Sequence, residues 1–507
     1  MMAAAAELMP PRPVVVIGAG NAAGYIAREA VALGRAADLR ILGREAVAPY
    51  ERPALSKAYL APTSPARLPG FHTCVGGGGE RQDPAWYAGK GVDLRLGATV
   101  EKIDAVAKTV TWREAAGGPL RTAAFERLVL ATGARPVSLA SDFGTPGADL
   151  PGVHVLREVA DADSLLAAVA AAAAGRAGGG GEARPPAEVL VVGGGYIGVE
   201  ACANLSAHPG VRVTMVLPEP SVLARVVPPA LASFYERQLQ ARGVVLVKGR
   251  TAVAFEPSAD DPNRVGFAVL SDAGPKGKGQ SRLPCDVVLV GAGARPNVSL
   301  AADAGLALAP APPSGPGGVQ VDGSLRSVSH PSVYAVGDVA AFPLRRLTAG
   351  PAETSVALAR QEHVAFARAS AAHAAQAAFS ASGEHPSAEA IPYLPYFYSR
   401  TYDNGWVFYG EAPAGADGGE VVLFGPDDPA TAAAPGKAKF GAYWVAPRAG
   451  REGERCVVGA FLEGGDAAEN EAVRQAVASG APLPAEGGVA ELARLGAGFA
   501  VAYAAKL

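Results

Sequence analysis

Short, unbroken apolar runs punctuate this chain, and most of them stop at glycine. Val14-Val15-Val16-Ile17 leads into Gly18-Ala19-Gly20-Asn21-Ala22-Ala23-Gly24, and Val189-Leu190-Val191-Val192 leads into Gly193-Gly194-Gly195-Tyr196-Ile197-Gly198. A run of four apolar residues without polar alternation predicts a strand buried on both faces, as in a parallel sheet covered by helices. The device recurs at Leu128–Gly133 and at Val287–Gly293, where it marks crossings between two α/β units. Val333-Tyr334-Ala335-Val336-Gly337-Asp338 predicts a buried strand that opens a helix with Asp338 at its start. From about residue 386 the pattern changes. Aromatics gather in Tyr393–Arg400 and Trp406–Tyr409, and alternation in Lys439–Val445 predicts strands of an α+β domain. The expected boundaries are 1–150 and 286–385 for the first α/β domain, 151–285 for the second, and 386–507 for the C-terminal domain. The Gly/Ala/Pro-rich stretches at 175–186, 257–282, 305–318 and 411–436 are expected to be surface loops without chemistry.

The glycine turns carry the first chemical signal. Glycine permits the tight turn and lets the backbone approach a pyrophosphate, toward which the next helix points its N–H groups and positive dipole end. An acid at the end of the following strand then accepts hydrogen bonds from a ribose. Both turns have one: Leu39–Leu42 ends near Glu45, and Val211–Leu217 ends near Glu219. One such turn is a common strand–helix connection. Two, each with its acid in place, imply a chain that holds two dinucleotides and passes electrons between them. The fold class is therefore α/β, with two Rossmann-like dinucleotide-binding domains and a C-terminal α+β domain.

Composition narrows this without changing it. At 507 residues the chain exceeds a single core, and the net charge of -3 gives no reason to expect nucleic acid. No apolar stretch has the length of a membrane span. Cys74, Cys202, Cys285 and Cys456 form no C-x-x-C pair, so neither a disulfide framework nor a redox dithiol is read, and no metal-ligand set is visible. The first dozen residues lack a signal-peptide core. Ala505-Lys506-Leu507 is close to the Ser-Lys-Leu address, so peroxisome is the expected location, with cytoplasm as the alternative.

The segment Glu45-Ala46-Val47-Ala48-Pro49-Tyr50-Glu51-Arg52-Pro53-Ala54-Leu55-Ser56-Lys57 closely resembles the monodehydroascorbate reductases of plants and algae. So do Ala66–His72, the GGGYIG turn, Thr214–Pro220, the Val336-Gly337-Asp338 turn, the aromatic YLPYFYSR segment and Phe461–Gly465. The resemblance covers nearly the whole chain apart from the loop inserts. It implies FAD in the first domain, NADH in the second with NADPH used more weakly, and a C-terminal domain covering the flavin. The positions it matches for FAD are Gly18, Gly20, Asn21, Ala22, Ala23, Glu45, Arg52, Lys57, Val100, Arg157 and Asp338. For the nicotinamide nucleotide they are Gly193, Gly195, Tyr196, Ile197, Glu219, Arg225 and Gly293.

Arg360 and Tyr398 match substrate positions in this reading. The implied substrate is the monodehydroascorbate radical, a small anion suited to a guanidinium and a phenol. Without the resemblance, Arg360 in Ala357–Glu362 would be an exposed helix arginine and Tyr398 a core aromatic. There is one departure. The family carries a Glu-His pair five or six residues before the substrate arginine, and Thr354-Ser355 stands there in an ungapped reading, with Glu353 just before. If Arg360 points away, Arg345 or Arg346 is the rival. The resemblance implies a monomer with a small-molecule substrate, and a peroxisomal import receptor is the expected reader of the C-terminal tripeptide. Three alternatives remain open: a reductase passing electrons to a ferredoxin- or rubredoxin-type protein, a thiol-dependent reductase using Cys74, and a binding or signalling flavoprotein.

Overall fold

The computed structural model describes residues 7–75, 79–115, 117–177, 185–272, 279–345, 347, 356–381, 391–413, 419–425, 439–448 and 453–507. The chain divides into two compact units. The first comprises residues 1–52, 67–135 and 296–396, and the second 53–66, 136–295 and 397–507.

In the first unit a five-stranded parallel sheet runs in the order Val333–Ala335, Arg127–Leu130, Val14–Ile17, Leu39–Gly43, Asp93–Leu96. The apolar runs lie where their pattern puts them: all four residues of Val14–Ile17 are buried. Helices Asn21–Ala32 and Val364–Ala378 pack against each other, sharing a core of alanines and Phe366. One fully buried charge interrupts this sheet. Arg40 is 1% exposed, and its Nε donates to Asp93 on the neighbouring strand at 2.7 Å while its guanidinium lies over the Trp112 ring. Pairing makes such burial tolerable.

In the second unit a parallel sheet runs Val153–His154, Val287–Val290, Ala187–Val192, Val211–Leu217, Val245–Lys248. The C-terminal residues build an antiparallel sheet in the order Tyr396–Thr401, Asn404–Gly410, Arg455–Glu463, Phe440–Pro447, Glu420–Phe424. Helix Ala467–Ala478 packs on strands of that sheet.

Several expected boundaries move. Val287–Val290 pairs with Val189–Val192, so the second sheet needs residues beyond 285. Segment 53–66, expected in the first domain, is bound into the second unit. Tyr59 donates to Asp163 at 2.6 Å, and His208 Nε2 lies 2.8 Å from the Leu60 carbonyl. The stretch 257–282 is not all loop. Val265–Asp272 is a strand between Arg250–Pro257 and Ser281–Pro284. The turn after Val333–Ala335 is a single 3-10 turn, Gly337–Val339, and not a full helix; strand Ala340–Arg345 follows at once. The expected loop 175–186 begins as the last turn of helix Val159–Ala177, and residues 178–184 lie outside the described residues.

Candidate active site

The first glycine turn is built by close packing. Gly18 has φ +107°, and a Cβ there would meet the Ala131 carbonyl oxygen at 2.2 Å, so only glycine fits. Helix Asn21–Ala32 has Gly20 as its N-cap, with no capping side chain and no acid in the first turn. The chain's other helices include Asp83, Ser138 and Asp466 as side-chain caps. Leaving the N–H groups of this start uncapped suits a phosphate. A Cβ on Gly20 would lie 3.6 Å from Arg52 Nη2, which puts a guanidinium beside the helix start. Arg52 is paired with Glu45 and donates to the Tyr50 hydroxyl at 2.8 Å, and Tyr50 in turn donates to Glu45 Oε2 at 2.7 Å. Glu45 is thus fixed at the end of its strand by two donors, with carboxylate lone pairs left for a ribose. These residues fit the diphosphate and ribose of FAD. Ala22 and Ala23 line the buried face of the helix. Asn21, 7% exposed, donates to Glu51 at 2.9 Å. Val100 is buried opposite Trp112, where the ladder shifts register between Val100 and Lys102. Asp338 sits in the Gly337–Val339 turn.

The second turn repeats the design. Gly193 has φ +113°, and a Cβ would meet the Gly291 carbonyl oxygen at 2.4 Å. Gly195 caps helix Tyr196–Leu205 without a side-chain bond, and Tyr196 and Ile197 form its first turn. A Cβ on Gly293 would meet nothing within 4 Å, which leaves space beside the turn. Glu219 follows strand Val211–Leu217 and lies 3.5 Å from the guanidinium of Arg225, whose side chain is 89% exposed. This set fits a nicotinamide dinucleotide.

Lys57 and Tyr398 come together in the second unit around an acid that the motif reading passed over. Lys57 Nζ lies 2.9 Å from Glu200 Oε1 and 5.7 Å from the centre of the Tyr398 ring. Glu200 is fully buried, and the Ser56 and Ser399 hydroxyls each donate to one of its oxygens. One carboxylate therefore grips the residue before Lys57 and the residue after Tyr398. The available signal was a lone acid in the apolar helix YIGVEACANL. Arg157 is also in this unit, where its backbone N–H donates to Asp161 at 2.9 Å.

The geometry of Arg360 corrects its expected role. It is neither helical nor exposed. It follows strand Val356–Ala359, its side chain is 11% exposed, and its Nε and Nη1 donors bond within the fold. Nε donates to the Pro316 carbonyl at 2.8 Å, Nη1 donates to the Asp338 carbonyl at 3.3 Å, and Nη1 also pairs with Glu362. The Glu-His pair expected ahead of the substrate arginine is present elsewhere, as Glu362-His363, with Arg368 six and five residues on. Arg368 stands on helix Val364–Ala378, its side chain 31% exposed, with Nη2 donating to Glu51 at 2.8 Å. The spacing was visible in the sequence; the ungapped placement of Thr354-Ser355 hid it. Thr354, Ser355 and Arg346 lie outside the described residues, and Arg345 ends strand Ala340–Arg345.

The four cysteines are free and buried. Burial raises the thiol pKa of Cys74 and pushes that of Cys285 up to about 12. Cys74 in this setting is a protonated core residue, which disfavours a thiol-dependent reductase.

Known proteins carry the same organisation. A family model described as Pyridine nucleotide-disulphide oxidoreductase matches residues 12–374, and one for the monodehydroascorbate reductase 3-like C-terminal domain matches residues 394–500. A monodehydroascorbate reductase of Pisum sativum is 42% identical, covering 96% of this chain and 98% of that protein. Two from Oryza sativa subsp. japonica, one described as cytosolic and one as peroxisomal, are 40% and 41% identical over 92% and 96% of this chain, and 94% and 89% of their own. Among solved structures, the covalent putidaredoxin reductase–putidaredoxin complex matches with a TM-score of 0.71 at 25% identity, covering 97% of this chain and 99% of that one. With two glycine-capped helices, their paired acids and matches of this extent, the chain belongs to the monodehydroascorbate reductase family of pyridine nucleotide-disulphide oxidoreductases.

Proposed function

We propose that this chain uses NADH, through FAD, to reduce the monodehydroascorbate radical to ascorbate. The observation that carries the reading is the second-unit cluster of Lys57, Glu200 and Tyr398, in a chain whose relatives bear the reductase name over nearly its full length. FAD, when bound, accepts the electron pair of a hydride and releases electrons one at a time. One NADH and one proton from solvent then serve two radical anions, each of which gains one electron and one proton.

The chain's own residues bind and orient. Arg52 and the uncapped Asn21–Ala32 helix hold the FAD diphosphate, and Glu45 holds its adenosine ribose. Lys57, fixed by Glu200, supplies a cation that favours anionic reduced flavin. Glu219 accepts from the NADH ribose and repels a 2′-phosphate. Arg225 offsets part of that repulsion, so NADPH serves weakly. Arg368 replaces Arg360 as the guanidinium that binds the radical anion. The test is NADH oxidation with and without ascorbate oxidase generating the radical. Dependence of the rate on the radical supports the reading. NADH oxidation unaffected by the radical but accelerated by a ferredoxin-type protein would replace it with protein-directed electron transfer. The protein works as a monomer, which light scattering checks. Ala505-Lys506-Leu507, exposed after helix Ala497–Ala504, is read as a peroxisomal address wherever Leu507 bears the terminal carboxylate. An N-terminal fluorescent fusion that stays diffuse with this tail intact would return the assignment to the cytosol.

A further inference from the structure

Arg360 is more deeply engaged than a ligand-binding arginine would be. Its side chain reaches three acceptors on separate segments of the first unit: the Pro316 carbonyl in the 305–318 loop, the Asp338 carbonyl in the 3-10 turn, and the Glu362 carboxylate. The fit is close. Gly318, at φ +100°, packs where a Cβ would lie 3.1 Å from Arg360 Cδ and 2.6 Å from the Val339 carbonyl oxygen. A loop that its composition marks as chemically idle thus provides both an acceptor for Arg360 and room for its stem. The 3-10 turn is held from a second direction too. Ser370, on helix Val364–Ala378, accepts from the Gly337 N–H at 3.0 Å. The same helix starts at His363, whose Nδ1 accepts from the Ala365 N–H at 3.2 Å, and it carries Arg368.

We infer that Arg360 is a positioning residue: it clamps the Asp338 turn to the Glu362-His363 segment and so couples FAD retention to the placement of Arg368. The planar guanidinium is suited to this, because its donors diverge in fixed directions toward three acceptors. An ammonium at the same place can satisfy the Glu362 charge but cannot span all three. The inference rests on the FAD reading of the Asp338 turn and not on the identity of the electron acceptor.

The experiment measures FAD binding to apoprotein by quenching of flavin fluorescence, alongside steady-state kinetics with excess FAD. Arg360→Ala should raise the FAD dissociation constant by up to about tenfold, because the Asp338 turn loses one charge-assisted hydrogen bond while the Ser370 bond remains. With FAD saturating, KM for the radical should rise while kcat and flavin reduction by NADH stay near wild type. Arg360→Lys should fall between the two, and it keeps the proposal testable if the alanine variant does not fold. Arg368→Ala should leave FAD binding unchanged and lower kcat/KM for the radical by about ten- to a hundredfold. FAD retention equal to wild type in Arg360→Ala, or in Arg360→Lys, overturns the clamp; with radical turnover lost as well, it returns Arg360 to the substrate. A wild-type protein that binds FAD but ignores the radical would refute the proposed function and leave this test intact.

Discussion

Replacing Glu200 by Gln removes a fully buried charge from a half-sheltered ion pair. Glu200 is fully buried and Lys57 is 19% exposed, with 2.9 Å between the charged atoms. At an effective dielectric near 20 that separation corresponds to about 6 kcal/mol of attraction, part of which the desolvation of the carboxylate cancels. Breaking a buried pair by removing one partner typically costs about 3–5 kcal/mol. Partial exposure of Lys57 lowers this, and a glutamine amide also turns one N–H₂ toward a serine that had donated. The expected net loss is roughly 2–3 kcal/mol, or about 5–10 °C in the melting of the second unit. Differential scanning calorimetry on the holoenzyme reads the shift. A double-mutant cycle with Lys57→Gln isolates the pair and should give a coupling energy above about 1.5 kcal/mol. If the two substitutions add to within about 0.5 kcal/mol, the pair is not coupled and Glu200 does not fix Lys57.

Arg368→Ala should cut kcat/KM for the radical by about ten- to a hundredfold while stopped-flow reduction of flavin by NADH is spared; equal slowing of both steps would remove Arg368 from the substrate site. Glu219→Ala should narrow the preference for NADH, and a wild type that prefers NADPH in side-by-side kinetics would show that Glu219 does not face the ribose. Tyr235 donates to the buried carboxylate of Glu463 at 2.7 Å, so Tyr235→Phe should destabilise the protein by about 1–3 kcal/mol in urea titration. Burial raises the thiols of Cys74, Cys202, Cys285 and Cys456, so each stays protonated in the fold after it would ionise in the unfolded chain. Stability should therefore fall as pH rises from about 8.5 toward the raised values, and replacing Cys285 by Ser should flatten that slope.

The parallel sheets and both glycine turns were legible in the sequence because they depend on local requirements. A four-residue apolar run that stops at glycine suits a doubly covered strand, and Gly18 and Gly193 answer to a positive φ and a carbonyl oxygen that an added Cβ would meet at 2.2 and 2.4 Å. The positions of Glu45 and Glu219, each just beyond a strand, were likewise legible from their offset to the turn. Where the chain crosses between units was less legible. Segment 53–66 follows the first turn in sequence, yet Tyr59 and His208 bind it into the second unit, and no local pattern encodes partners that distant. The roles of the charged residues were the least legible. Arg360 and Arg368 are both arginines in alanine-rich surroundings, and only tertiary packing commits one to two carbonyls and Glu362 while leaving the other partly exposed beside Glu51. Glu200 shows the same limit. The sequence placed an acid in an apolar helix, but two serines and a lysine from segments 144 and 199 residues away in sequence decide what that charge does, since hydrogen bonds to a buried carboxylate depend on position in space and not on order along the chain.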